Sequence, residues 1–211
     1  MLVDIIIPAH HENFELVGDC IANIEKHTDF AHRYILSLQG GVKEDFQELA
    51  GYLVENEIEA TIIHEREVLG RNAAINEAMD MTSAKFIAVC YPQCIIRDDK
   101  WFGKLQSIFI KTPHPGIVGV PDVDPKSSNA PPLRLDKKYH HPTGPLFMIC
   151  KVSLEICRPK GPLSEDDWQY TFSESCSRQG SCRWIHAGVF FSTNEHKSHP
   201  EARREGSGSN S

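Results

Sequence analysis

The sequence predicts an α/β fold, a mostly parallel sheet flanked by helices, and three observations carry that prediction. Strand-length apolar runs alternate with helix-period segments through the first 90 residues, the order that builds right-handed βαβ crossovers. The run Lys85–Cys90 is apolar almost throughout rather than alternating, as in strands that a parallel sheet buries on both faces. Residues 69–94 then join a glycine-started helix, a turn and that strand, and end on Tyr91-Pro92-Gln93. Ligands of open α/β sheets bind just beyond the carboxyl ends of strands. A site is therefore expected beside Tyr91 and Gln93.

In chain order, Leu2–Ile7 reads as a first strand that ends at Pro8, with Ala9 to Glu12 forming a turn. A helix follows from Glu12 or Asn13 to Lys26, its stripe supplied by Phe14, Leu16, Val17, Cys20, Ile21 and Ile24. Tyr34–Leu38 is a second strand closed by Gln39-Gly40-Gly41, Lys43–Asn56 a second helix, and Ala60–His64 a third strand. Gly70-Arg71-Asn72 opens the third helix with backbone N–H groups and a guanidinium, a combination suited to a phosphate-bearing ligand. Asp98 or Asp99 caps a helix over Trp101–Ile110, and 116–120 is another strand. Residues 121–143 are polar and proline-rich and read as a long surface loop. The chain returns to strand over 144–150 and makes a helical turn over 152–157. Ser164-Glu165-Asp166-Asp167 begins a helix, with its acids placed favourably for the dipole. That helix runs from Trp168 to Arg178, and 182–186 is a last strand.

The 211 residues, 40% hydrophobic, suffice for one core, so 1–205 reads as a single domain and 206–211 as a flexible tail. A net charge of −7 and a pI near 5.9 exclude a protein held to nucleic acid by bulk electrostatics. The first strand starts almost at Met1, which leaves no signal peptide, and no apolar run reaches the ~18 residues of a membrane span. Seven cysteines, several inside apolar runs, fit reduced thiols in the cytoplasm. Cys90-x3-Cys94 and Cys176-x5-Cys182 lack the C-x2-C spacing of common zinc sites.

Several stretches taken together resemble family 2 glycosyltransferases. Val3–Ala9 (VDIIIPA) is similar to that family's opening strand and base-cradling loop. Gly70-x3-Ala74-x-Asn76 is similar to its G-x3-A-x-N-x-G helix, with Ala78 where glycine is usual. Phe86–Cys90 resembles the strand leading to its metal-binding acids, Gly144–Ile149 its acceptor-side strand, and Glu165-Asp166-Asp167 its Glu-Asp motif. The resemblance covers about residues 3–191. It implies a GT-A (Rossmann-like) sheet with a nucleotide-sugar half over 1–97 and a small acceptor half over 98–191. It also implies sugar transfer from a nucleotide-activated donor to an acceptor hydroxyl with inversion.

On the same basis the donor would meet Pro8, Ala9, His10, Glu12, Gln39, Gly70, Arg71, Asn72, Asn76, Tyr91 and Gln93. Asp166 would be the general base, with Asp167 and Glu165 beside it; plain helix capping is the bland reading of all three. The resemblance implies Mn2+ or Mg2+ at an Asp-x-Asp, yet those positions hold Tyr91 and Gln93, and an aspartate position holds Gln39. Metal independence is the natural alternative, with Arg71 supplying fixed charge. Asp122 and Asp124 form a literal Asp-x-Asp in a different loop, where a proline-flanked turn accounts for them. His196 stands nearest to the family's late metal histidine, while His10-His11 reads as a surface pair. The acceptor is left open among a glycan, a lipid, a small molecule and a modified nucleic acid. For the last, Lys126, Arg134, Lys137 and Lys138 offer phosphate contacts. A catalytically inactive domain that binds a nucleotide or glycan is the second reading. A nucleotidyltransferase is disfavoured, because the first loop has neither glycine nor lysine.

Overall fold

The computed structural model describes residues 2–111, 116–120, 146–158, 172, 175, 185–186 and 191–193. Nine strands and five helices are defined among them. In chain order these are β1 (Val3–His10), α1 (Phe14–Lys26), β2 (His32–Gln39), α2 (Lys43–Glu55), β3 (Ala60–Glu65), α3 (Arg71–Asp80), β4 (Phe86–Cys90), β5 (Cys94–Ile96), α4 (Trp101–Lys111), β6 (Ile117–Val120), β7 (Leu146–Cys150), α5 (Lys151–Cys157), β8 (Ile185–His186) and β9 (Phe191–Thr193).

Seven strands form one sheet in the order β3-β2-β1-β4-β7-β6-β8. The first four are mutually parallel. β7 runs antiparallel between β4 and β6, and β8 lies parallel to β6. Strand order reverses about β1, so β1, β2 and β4 end together on one side, the switch point where α/β sheets take ligands.

Both faces of the sheet are covered, which explains the unbroken apolar runs. Val3, Ile5 and Ile7 of β1 join one core with Val17, Cys20, Ile21 and Ile24 of α1, Leu49 and Leu53 of α2, and Trp101 of α4. Ile6 faces the other core with Ile75, Ala78 and Met79 of α3 and with Leu154 and Cys157 of α5. The period of two along the strand sorts its side chains between the layers. Asp4 shares the α3 face and is fully buried. It accepts from Arg33 Nε at 2.7 Å and from the backbone N–H groups of Ser83 and Ala84 at 2.6 and 2.8 Å.

Three features depart from the sequence reading. β1 does not end at Pro8 but continues to His10, paired with β2 along its whole length. Pairing with β4 stops at Ile6↔Val89, so Pro8 lies where β1 has one neighbour only, the setting in which a strand tolerates proline. α1 accordingly starts later, at Phe14, after a single 3-10 turn over His11–Asn13. β5 and β9 were not expected. Each has three residues, and they pair antiparallel with each other, Cys94↔Thr193 to Ile96↔Phe191. Of the two candidate caps for α4, Asp98 forms the turn that leads into it, its carbonyl accepting from Trp101 N–H at 3.0 Å. Its Oδ1 accepts from Lys100 N–H at 2.9 Å, whereas Asp99 meets His27 Nδ1 at 2.5 Å.

Candidate functional site

The chain ends of β1, β2 and β4 and the start of α3 enclose a cleft of about 280 Å³. Pro8, Ala9, His10, Glu12 and Asn13 line it from β1 and the turn after it, and Gln39 from the end of β2. Arg71 and Ala74 line it from α3, and Pro92 and Gln93 from beyond β4. Local sequence sets each wall. Gly40, Gly41 and Gly70 all have positive φ (73°, 78° and 88°), conformations that glycine adopts without a Cβ penalty. The glycine pair turns the chain sharply out of β2 behind Gln39.

Gly70 is the N-cap of α3 and has no side chain with which to cap it. A helix start favours an anion through the partial positive charge of its N–H groups. Arg71 stands beside them, its guanidinium 4.5 Å from the centre of the Tyr91 ring. That stacking holds a permanent cation at the cleft wall.

Gln39 is 2% exposed, and its Nε2 has no hydrogen-bond partner. A buried donor left unmade costs about 1–3 kcal/mol, so an oxygen acceptor entering the cleft would find a donor already desolvated.

The structure gathers Pro8, Ala9, His10, Glu12, Gln39, Arg71 and Gln93 of the expected donor-contacting residues around this one space. Tyr91 is buried behind Arg71, edge-on to Phe147 at 6.4 Å. Asn76 does not line the cleft. Its Oδ1 accepts from Arg158 Nε at 2.9 Å, and its carbonyl also accepts from that guanidinium. This ties α3 to the residue after α5, so Asn76 is engaged as a helix anchor. Gly70 and Asn72 flank the cleft at the helix start without lining it. His64 is also occupied, with Nε2 3.3 Å from the Gly40 carbonyl and its ring on Phe46 at 4.0 Å. Asn13, Ala74 and Pro92 also line the cleft, although the sequence reading assigns none of them a donor contact. Asn13 carried a signal, since it closes the polar turn that begins at His10. Asp122, Asp124, Glu165, Asp166, Asp167 and His196 lie outside the described residues.

The sheet order and the cleft beyond β1, β2 and β4 define the class, a GT-A-type nucleotide-sugar fold. The sequence matches the profile of Glycosyl transferase family 2 over residues 4–186, and the chain belongs to that family. No curated protein sequence matches it. Among solved structures it is similar to mannosyltransferase PcManGT from Pyrobaculum calidifontis in complex with GDP-Man and Mn2+. The TM-score there is 0.72 at 15% identity, covering 93% of this chain and 57% of that one. TarS 1-349 from S. aureus in complex with UDP-GlcNAc gives 0.66 at 12% identity, covering 94% and 60%. Glucosyl-3-phosphoglycerate synthase from Mycobacterium tuberculosis, in complex with Mn2+, UDP and glucosyl-3-phosphoglycerate, gives 0.61 at 11% identity, covering 92% and 72%. At such identities the likeness is one of fold. This chain spans about three fifths of the length of the first two.

Proposed function

We propose that this chain is a glycosyltransferase, hexosyl or pentosyl, that moves a sugar from a nucleotide-activated donor to an acceptor hydroxyl with inversion. Residues 1–97 form the donor half and 98–191 the acceptor half. The observation that carries the reading is the unpartnered, buried Nε2 of Gln39, a residue that lines a cleft whose other wall presents Arg71 at the start of α3. The amide would donate to a carbonyl of the base. Arg71 and the N–H groups of α3 would hold the diphosphate and stabilise the charge it gains as the glycosidic bond breaks. The acceptor oxygen attacks the anomeric carbon while Asp166, or its neighbour Asp167 or Glu165, takes the hydroxyl proton.

The Mn2+ in two of the similar structures raises the question of a cation here. Tyr91 and Gln93 offer no carboxylate where the family places its acids, so that position does not fit a divalent metal, and no step above passes through one. The five described cysteines are free thiols, four of them buried, which suits a reducing, cytoplasmic setting. Among the described residues no helix is long and apolar enough to cross a membrane.

Thermal-shift measurements against UDP-, GDP-, CMP- and dTDP-sugars, in EDTA and in Mn2+, test the reading. The expected result is a stabilising shift with one nucleotide sugar, independent of Mn2+ and lost in Arg71→Ala. A donor at a hundred times its Kd would add about 2.7 kcal/mol. No shift with any donor overturns it. The missing carboxylates favour a second reading, an inactive nucleotide-binding domain. A donor shift without sugar transfer to any acceptor hydroxyl offered, or to water, would select that alternative.

A further inference from the structure

The turn after β1, which lines the cleft with His10 and Glu12, holds a second feature besides its place beside the donor. His10, His11 and Glu12 each offer one metal-ligating atom, and these three atoms lie within 4.8 Å of one another. It is the only such group of histidine, cysteine and acid among the described residues. Successive side chains of a strand point to opposite faces, so three neighbours converge only where the backbone changes form. Here β1 ends at His10 and a 3-10 turn starts at His11. The two imidazole rings stand 4.4 Å apart.

The facing turn is shaped around His11. A Cβ on Gly40 would meet His11 Nδ1 at 2.8 Å, and one on Gly41 would meet His11 Cβ at 3.4 Å. His11 thus packs against the Gly40-Gly41 backbone, beside Val68, Phe14 and Asp45. Among the described residues no hydrogen bond or ion pair engages the ligating groups of His10, His11 or Glu12.

Donors bound to one zinc ion at about 2.1 Å lie roughly 3.4 Å apart in a tetrahedron, so small side-chain rotations close the site. All three side chains are exposed or half-exposed, and nothing in the core resists that movement. Two imidazoles and a carboxylate suit Zn2+ or Co2+, whereas Mg2+ prefers oxygen throughout. Three protein ligands leave a coordination position open, and His10 and Glu12 both line the cleft.

We propose that His10, His11 and Glu12 bind one imidazole-preferring divalent cation, of the zinc or cobalt class, at the mouth of the cleft. The site lies on the turn after β1, not on the turn after β4 where Tyr91 and Gln93 stand.

The test uses the full chain, stripped with EDTA and dialysed, without nucleotide. It is titrated with Co2+ by visible absorption and with Zn2+ by calorimetry. One ion per chain is expected. Losing even an outer-shell partner of a metal costs ~10–100-fold in affinity, so His10→Ala/His11→Ala should lose at least that much and the cobalt band with it. Glu12→Gln should weaken binding while keeping a nitrogen-ligand spectrum, and His196→Ala should bind like the parent. Circular dichroism melts confirm folding; where the double variant melts early, His11→Ala alone gives the reading. An absence of binding by the parent overturns the site. So does binding that survives in His10→Ala/His11→Ala, or that disappears in His196→Ala. No donor is present, so failure here leaves the roles of Gln39 and Arg71 untouched, and failure of the donor screen leaves this site untouched.

Discussion

Gln39 and Asp4 are both polar and almost wholly buried, and they differ in whether the fold satisfies them. Asp4 accepts from one guanidinium and two backbone N–H groups, so it locks β1 to β2 and to the turn before β4. Asp4→Asn puts an amide donor against those donors. It should cost about 3 kcal/mol, the range for breaking a buried ion pair, measured by urea denaturation. Gln39 Nε2 has no partner, and Ser37 Oγ on the same face of β2 is also unpartnered. Gln39→Leu keeps the size and removes the orphan donor. The free protein should melt at the same temperature or up to several degrees higher, since an unmade buried donor costs ~1–3 kcal/mol, while the nucleotide-sugar shift disappears. A variant that destabilised the free protein and still bound donor would show that Gln39 serves the core. Asp4 was not legible from sequence as a structural acid, because its partners lie 29 and 79 residues away.

At the scale of elements, periodicity predicted the type of every long segment among the described residues, and the departures fall where periodicity has little to work on. Pro8 reads locally as a stop, and only the sheet order shows that β4 has already ended beside it. β5 and β9 have three residues each and gain their definition from one another across 95 positions. Asn76 matched a family motif, yet its side chain is spent on Arg158. That guanidinium also pairs with Asp80 and holds its carboxyl below the usual carboxylate range. The stabilisation from Asp80 is therefore complete above the ordinary carboxylate pKa and lost as pH falls through the lowered value. Its side chain is 66% exposed, so solvent limits this pair to under ~1 kcal/mol. Arg158→Ala should lower stability by about 1–2 kcal/mol at pH 7, with Asn76 left unpaired. The gap from the parent should narrow below about pH 4. Asn76→Ala should lose a similar amount with donor affinity unchanged; a fall in affinity alone would return Asn76 to the donor site.

At the scale of the molecule, the cleft and the core are built from the same strands, so donor binding should be felt throughout the sheet. Cys20 and Cys90 report on this. They are buried between α1 and β4 with their sulfurs 3.8 Å apart. Hydrogen bonding to Cys90 and burial push the Cys20 thiol well above its ordinary pKa. The thiolate is the reactive form, so neither sulfur should react in the native state, and labelling should wait for global opening. Among the described cysteines, half-buried Cys150 on β7 should react first. When opening and closing are fast, labelling follows the population of the open form. A donor at a hundred times its Kd should then slow modification of Cys20 and Cys90 about a hundredfold, read by mass spectrometry of digested protein. Slowing confined to peptides around His10, Gln39 and Arg71 would mean that the cleft opens independently of the core. Equal slowing at Cys20, Cys90 and the cleft would mean that the parallel half of the sheet folds as one unit, with the orphan amide at its edge kept unsatisfied until the donor arrives.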